Sequence, residues 1–276
     1  EQPDIVLVPG DVNSTLAATL TALKMGIPVA HLEAGLRSFD RTMPEETNRV
    51  LTDAVAEVLL THSPEAKANL VREGRSALDV FEVGNTMIDS LFALRDRFDS
   101  ASPRAAIGVE GDYLLVTLHR PALVDGDLLG EAIAALNDVA AEIPVVFPVH
   151  PRTRIRMNEE NLTPAPGLHL AEPLGYLEFM GLVEKAKGVL TDSGGVQEET
   201  TVLGIPCFTL RDNTERPVTV SQGTNTLLGL DPARIREVPS LLAEFDSAAA
   251  TIPAGWDGNA GVRTVDVLEA FPATRR

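Results

Sequence analysis

Short apolar runs recur along the whole chain and alternate with amphipathic stretches. The runs are Ile5–Val8, Pro28–Leu32, Val58–Thr61, Val80–Val83, Tyr113–Leu118, Pro144–Val149, Leu168–Ala171, Gly188–Thr191, Pro206–Leu210 and Thr226–Leu228. Between them lie amphipathic segments such as Ser14–Met25 and Leu128–Ala141. A strand that is apolar at every position offers no face to water. It belongs in a parallel sheet covered by helices on both sides. The pattern therefore predicts an α/β fold. One helix start is explicit: Ser63-Pro64-Glu65 places a capping hydroxyl, a proline at the first helical position and an acid in the first turn.

The runs form two series. The first ends near Gly84-Asn85, a helical connector spans about Thr86–Phe98, and the second series starts at Tyr113 after Ser102-Pro103. A length of 276 residues leaves room for two domains of ordinary size. We read them as 1–98 and 99–257. A terminal segment, 258–276, carries a helix at about Val262–Ala270 that is expected to pack back on the first domain. A cleft between two such domains is the usual place for a ligand.

Composition removes several classes of partner. The formal net charge of −17 argues against a nucleic-acid surface or an anionic membrane surface. A single cysteine excludes an internal disulfide framework and any multi-cysteine zinc site, and no metal-ligand spacing is present. No stretch reads as a membrane span or a signal peptide, so a cytoplasmic protein is expected. The chain opens at Glu1 and runs almost directly into its first strand, which leads us to expect that a preceding segment is missing.

Five strand ends carry a chemistry-bearing side chain: Asp11, Glu33, His119, His150 and Ser193 each follow a predicted strand. Ligands of open α/β sheets bind at the carboxyl ends of the strands, so these residues converge on one site. The segment Asp192-Ser193-Gly194-Gly195-Val196-Gln197-Glu198-Glu199 is a strand end, two glycines and a helix start. It suits a phosphate or diphosphate, held by backbone N–H groups and the helix dipole. It equally suits a plain turn with Ser193 as the N-cap.

Each of the other candidates has two readings. Glu199 either reaches a ribose hydroxyl or is a solvated carboxylate early in a helix. Asp11 either acts in the site or caps the helix that follows it. Glu33 either works as an acid or base or forms a salt bridge to Arg37. Glu45 and Glu46 open a helix after Pro44, where acids also complement the dipole. His119 and His150 are either core histidines or, beside Arg120 and Arg152, part of an anion site. Arg216 is a phosphate clamp or a surface residue. Cys207 reads as buried core.

Taken together and in order, these blocks resemble the non-hydrolysing UDP-N-acetylglucosamine 2-epimerases. The resemblance rests on Gly10-Asp11, His31-Leu32-Glu33-Ala34-Gly35-Leu36-Arg37-Ser38 and Met43-Pro44-Glu45-Glu46-Thr47-Asn48-Arg49. It continues through Gly84-Asn85-Thr86, Thr117-Leu118-His119-Arg120-Pro121, Pro148-Val149-His150-Pro151, Glu172-Pro173-Leu174, 191–199, 211–217 and Gly223-Thr224-Asn225. It implies two Rossmann-like domains in a GT-B-like arrangement, with a UDP-sugar in the cleft and no organic cofactor or metal. It implies a homodimer serving cell-surface polysaccharide synthesis. The implied reaction interconverts UDP-N-acetylglucosamine and UDP-N-acetylmannosamine through elimination and re-addition of UDP. Asp11, Glu33 and Glu45 would move the protons at carbon 2, and His119 would assist the departing diphosphate. Arg120, His150, Ser193, Gly194, Gly195 and Arg216 would bind phosphate, Glu199 the ribose and Phe179 the uracil.

Two departures from the family pattern stand out. Ala122-Leu123 follow His119-Arg120-Pro121 where the family usually has polar residues. The family's opening strand and its loop that touches the nucleotide are also not found, so 1–98 would be the later part of the first domain. That would leave Ile5–Val8 as an edge strand prone to aggregation. A hydrolysing relative, an epimerase of a related UDP-amino sugar and a UDP-sugar-binding protein without turnover are the alternatives. Four of the 23 basic residues are lysines. An acidic chain that binds a dianion has to gather positive potential locally, through arginines and helix N-termini.

Overall fold

A computed structural model describes residues 3–271. All ten apolar runs form strands, within a residue or two of the expected bounds. The trimming has a simple cause. Pro28, Pro144 and Pro206 have no N–H to donate, so the strands start one residue later, while the proline carbonyls accept from Val6, Leu114 and Val189. Two compact units result. One comprises residues up to Ala93, Glu215–Val218 and the segment from Pro253 onward. The other comprises Leu94–Thr214 and Thr219–Ile252.

The first unit holds β1 (Val6–Pro9), β2 (Val29–Leu32), β3 (Val58–Thr61) and β4 (Val80–Glu82), all parallel in the order β1-β2-β3-β4. Its helices are α1 (Asn13–Lys24), α2 (Pro44–Val55), α3 (Pro64–Arg72) and α4 (Thr86–Leu94). Alternate residues fill two separate cores. Val8, Val29, Leu59 and Leu70 pack on one face, while Ala30, Val58, Leu60 and Val83 pack on the other. Both faces are covered, which is why the runs read as continuously apolar.

The Ser63 hydroxyl caps α3 by accepting from the N–H of Ala66, with Pro64 at the first helical position. Ser63→Ala is expected to lower the stability of this unit by about 1 kcal/mol, which denaturant unfolding would measure. The expected connector is helical only to Leu94 and finishes as a 3₁₀ turn, Arg95–Arg97.

The second unit holds α5 (Ala101–Ile107), β5 (Leu114–Thr117), α6 (Pro121–Val124), α7 (Leu128–Val139), β6 (Val145–Pro148) and α8 (Pro151–Glu159). It continues with β7 (Leu168–Ala171), α9 (Tyr176–Lys185), β8 (Gly188–Thr191), α10 (Gly194–Leu203) and β9 (Cys207–Thr209). After α11 (Val218–Ser221) come β10 (Asn225–Leu227) and α12 (Val238–Glu244). The strands are parallel in the order β10-β9-β8-β5-β6-β7. This is the Rossmann order, and the order of the strands reverses between β5 and β8. Leu123 and Val124 are buried in the core of this unit. An apolar residue at position 123 is thus used for packing.

The last helix, α13 (Ala260–Ala270), belongs to the first unit. Its sequence supplies no side-chain cap of its own. Asp89 of α4 provides one instead, accepting from the N–H groups of Ala260 and Gly261. Just before α13, Trp256 is buried and its indole N–H donates to the carbonyl of His62 at 2.9 Å. Among the described residues no helix is long and apolar enough to cross a membrane.

Candidate active site

The first unit gathers carboxylates at the carboxyl ends of β1 and β2. Asp11 does not cap α1: Val12 occupies the cap position and no side chain serves there. Instead Oδ2 of Asp11 accepts from Nε and Nη2 of Arg49 at 2.9 and 2.6 Å. Arg49 also donates through Nη1 to Glu46 at 2.8 Å and lies 3.6 Å from Glu215. Asn48 donates to the carbonyl of Asp11 and to Asn13. One helix face accounts for this. Glu46, Arg49 and Asp53 are three and four residues apart on α2, so they point the same way.

Glu33 has a left-handed backbone, φ +68°, which is uncommon without glycine and marks a turn held by its surroundings. Two residues on, Gly35 leaves no room for a Cβ, which would sit 2.3 Å from the carbonyl oxygen of Ala66. The second reading of Glu33, a salt bridge to Arg37, is not what forms. Arg37 is committed to Asp53 and Glu73, and the guanidinium near Glu33 is that of Arg216, at 3.9 Å. Arg216 therefore stands among the carboxylates of the first unit, carried there by the short segment Glu215–Val218.

The adjacent acids Glu45 and Glu46 have different employments. Glu46 is buried and accepts from the N–H and hydroxyl of Ser38, from the N–H of Phe39 and from Arg49. It holds the loop after β2 together. Glu45 is half-buried, and no hydrogen bond or ion pair among the described residues engages it.

In the second unit the candidates surround the reversal point of the sheet. Asp192, after β8, is buried. Its Oδ2 accepts from the N–H groups of His119 and Arg120, both at 2.7 Å, and its carbonyl accepts from Nε of Arg120 at 2.8 Å. Nδ1 of His119 lies 2.8 Å from Oδ1 of Asp192. The end of β5 is thereby tied to the start of α10. Ser193 occupies the N-cap position of α10, but its side chain makes no capping bond. The simple capped-turn reading fails for that hydroxyl. Gly194 and Gly195 open the helix with their backbone N–H groups at its positive end.

His150 is partly claimed by local structure, since its Nδ1 accepts from the N–H of Arg152 and caps α8. The His119 and His150 rings remain neighbours, with centroids 6.1 Å apart. Arg152 is paired with Asp125. Phe179 is half-buried in the first turn of α9.

Glu199 is not a solvated carboxylate. It is 4% exposed. Burial pushes its pKa up to about 7; the hydroxyl of Tyr176, donating at 3.0 Å, pulls it down, and the charge of Glu198 raises it further. Gln197 fastens α10 from beneath, accepting from Thr214 and Asn225. Cys207 is fully buried and its thiol is pushed up to about 11 by that burial.

Sequence reasoning named Asp11, Glu33, Glu45 and the helix-start anion site. It did not find the roles of Arg49, Glu46, Asp192 or Tyr176. The signal for Arg49 was its place one turn beyond Glu45-Glu46; nothing local marked Tyr176. No group of three or more His, Cys, Asp or Glu among the described residues is arranged to hold a metal ion.

Two Rossmann-like units, one rich in paired carboxylates and the other built around an anion-ready helix start, define an α/β protein of the GT-B-like class. The chain belongs to the UDP-N-acetylglucosamine 2-epimerase family, whose model matches residues 1–269. It is 44% identical over 246 residues to the UDP-N-acetylglucosamine 2-epimerase of Methanococcus maripaludis, covering 85% of this chain and 67% of that one. It is also 44% identical over 233 residues to the UDP-2,3-diacetamido-2,3-dideoxy-D-glucuronate 2-epimerase of Pseudomonas aeruginosa, covering 83% of this chain and 64% of that one. The crystal structure of Methanocaldococcus jannaschii UDP-GlcNAc 2-epimerase in complex with UDP-GlcNAc and UDP superposes with a TM-score of 0.87 at 41% identity. That match covers 98% of this chain and 77% of the crystallised one. The chain thus spans about two thirds to three quarters of the length of these relatives.

Proposed function

We propose that this chain catalyses reversible epimerisation at carbon 2 of UDP-N-acetylglucosamine, giving UDP-N-acetylmannosamine without a cofactor. A carboxylate removes the proton from carbon 2 as the bond from carbon 1 to the diphosphate oxygen breaks. UDP leaves with the electron pair, and a bound glycal remains. Re-addition of UDP at carbon 1 and protonation of carbon 2 on the other face complete the exchange. The observation that carries this reading is the division of labour between Glu45 and Glu46. One acid is built into the loop, and its half-buried neighbour at the start of the same helix is left uncommitted, as proton transfer requires.

Asp11, Glu33 and Glu45 supply the acid and base groups. His119, backed by Asp192, protonates or hydrogen-bonds the departing diphosphate. Ser193, Gly194 and Gly195 hold the diphosphate together with Arg120 and His150, Glu199 takes the ribose, and Phe179 lines the uracil site. Arg216, beside Glu33, screens charge where the sugar meets the diphosphate. The protein acts as a cytoplasmic homodimer in polysaccharide synthesis.

Incubation with UDP-N-acetylglucosamine in deuterated water is expected to place deuterium at carbon 2, seen by NMR or mass spectrometry. Unlabelled sugar nucleotide after prolonged incubation would reject the reaction. The Pseudomonas relative, a 2-epimerase named for a diacetamido uronate, motivates a second substrate for the same chemistry. Faster exchange at carbon 2 of that nucleotide would favour it. Release of free N-acetylmannosamine would mark the hydrolysing variant, and UDP-sugar binding without exchange a binding protein.

A further inference from the structure

Behind the carboxylates of the first unit lies a chain of buried charges that the proposed reaction does not consume. His31 is 0% exposed, Asp53 1% and Arg37 3%. Nδ1 of His31 lies 2.6 Å from Oδ1 of Asp53, and Nε2 lies 2.8 Å from the carbonyl oxygen of Gly10. Oδ2 of Asp53 accepts from the N–H of Gly35 at 3.0 Å and faces Nη1 of Arg37 at 2.7 Å. Arg37 donates through Nε and Nη2 to Glu73 at 2.8 and 2.6 Å.

The proton count follows from the partners. Arg37 and the Gly35 N–H both favour Asp53 as a carboxylate, an acceptor only. The Gly10 carbonyl is also an acceptor only. Both ring nitrogens of His31 must then donate, so the ring is an imidazolium. Its two bonds reach far. Gly10 immediately precedes Asp11, and Gly35 lies two residues after Glu33. Gly10, Glu33 and Gly35 all have left-handed backbones, with φ of +65°, +68° and +81°. One buried ion pair therefore grips, by one backbone hydrogen bond each, the two turns that present two of the candidate carboxylates.

We propose that His31 and Asp53 are positioning residues: the His31 imidazolium, paired with Asp53, holds the Gly10 and Gly35 turns that aim Asp11 and Glu33. The proposal rests on the epimerase reading above for its effect on turnover. The groups acting on the ring are Asp53 from α2, the Gly10 carbonyl from the turn after β1 and Glu33 from the segment after β2, while Arg37 bears on it through Asp53. Its register neighbours, Val8 on β1 and Leu59 on β3, are apolar. Burial favours the neutral ring. The hydrogen bond and charge of Asp53, the Gly10 carbonyl and the charge of Glu33 outweigh it and raise the pKa above 6.5. A raised cationic pKa stabilises the fold below pH 6.5, and that contribution fades as pH rises through the raised value. A neutral ring keeps its proton toward Asp53 and turns a lone pair on the Gly10 carbonyl. The Asp11 turn then loses its anchor.

The test uses the whole chain labelled with ¹⁵N-histidine, with His31→Gln to assign the signal. Both His31 ring nitrogens are expected to be protonated at pH 7, with a midpoint above that of free histidine. Carbon 2 exchange is expected to fall as pH rises through that same midpoint, in kcat rather than KM. Asp53→Asn is expected to lower the midpoint and to cut kcat about 10- to 100-fold through misplaced carboxylates, with KM changed by no more than about threefold. A neutral His31 ring at pH 7 overturns the proposal, whatever the activity. So does an exchange profile unrelated to the ring's midpoint, or wild-type kcat in Asp53→Asn. If wild-type protein shows no exchange at all, the epimerase reading fails, and the ring measurement still decides whether the ion pair exists as described.

Discussion

Glu45→Gln is expected to reduce carbon 2 exchange by about 100- to 10,000-fold, the usual worth of a positioned acid or base, and to leave the thermal midpoint unchanged. The neighbouring exchange, Glu46→Gln, is expected to do the reverse in kind. It removes a buried charge that accepts from Ser38, Phe39 and Arg49, and turns an amide N–H₂ toward backbone donors. Breaking a buried pair of this sort costs about 3–5 kcal/mol, so the loss should appear first in unfolding experiments. The contrast follows from helix geometry. Adjacent residues on a helix point about 100° apart, so only one of the two acids can turn in toward the loop and Arg49. Measuring kcat, KM and the denaturation midpoint for both variants separates the roles. Exchange within a few-fold of wild type in Glu45→Gln would move the proton work to Asp11 and Glu33. An unshifted midpoint in Glu46→Gln would remove it from the loop's support.

The strands were legible because a parallel sheet buries both faces, and Leu59 and Leu60 could not be neighbours in a half-solvated strand. The strand-end rule located Asp11, Glu33, His119 and Ser193 for the same topological reason. The strand order reverses between β5 and β8, so His119 and Ser193, which follow those two strands, sit at the switch point of the sheet. What was not legible were partners chosen by tertiary packing. Asp53 is 22 residues beyond His31, Arg49 is 38 beyond Asp11, and Asp192 is 73 beyond His119. No period of 2 or 3.6 residues links such pairs. The supposed Glu33–Arg37 bridge shows the limit most directly. Two opposite charges four residues apart suggest a local pair, yet Arg37 is drawn to the buried Asp53 and exposed-edge Glu73, and a distant segment brings Arg216 to Glu33. The change to Ala122-Leu123 likewise made sense only when Leu123 was seen to fill the core.

With Glu199 as the proposed ribose contact, nucleotide binding is expected to depend on pH. The Glu199 pKa of about 7 in the free protein means that half the molecules carry the neutral acid near neutrality. A ribose diol donates hydrogen bonds to the ionised form and so favours it, which makes binding expel a proton. Affinity for a UDP-sugar should therefore weaken about tenfold per pH unit below 7 and level off above it. A UDP-sugar is the right probe because its diphosphate diester keeps both charges across this range. Calorimetry at pH 7 in buffers of different ionisation enthalpy should register proton release. Glu199→Gln should lower affinity at pH 8 by about 10- to 100-fold, the worth of hydrogen bonds to a charged group, and flatten the dependence below pH 7. Tyr176 provides the finer test. Its hydroxyl donates to Glu199 and holds the pKa down, so Tyr176→Phe should move the midpoint upward, not downward. A flat affinity profile in the wild-type protein, or a downward shift in Tyr176→Phe, would place the ribose contact elsewhere.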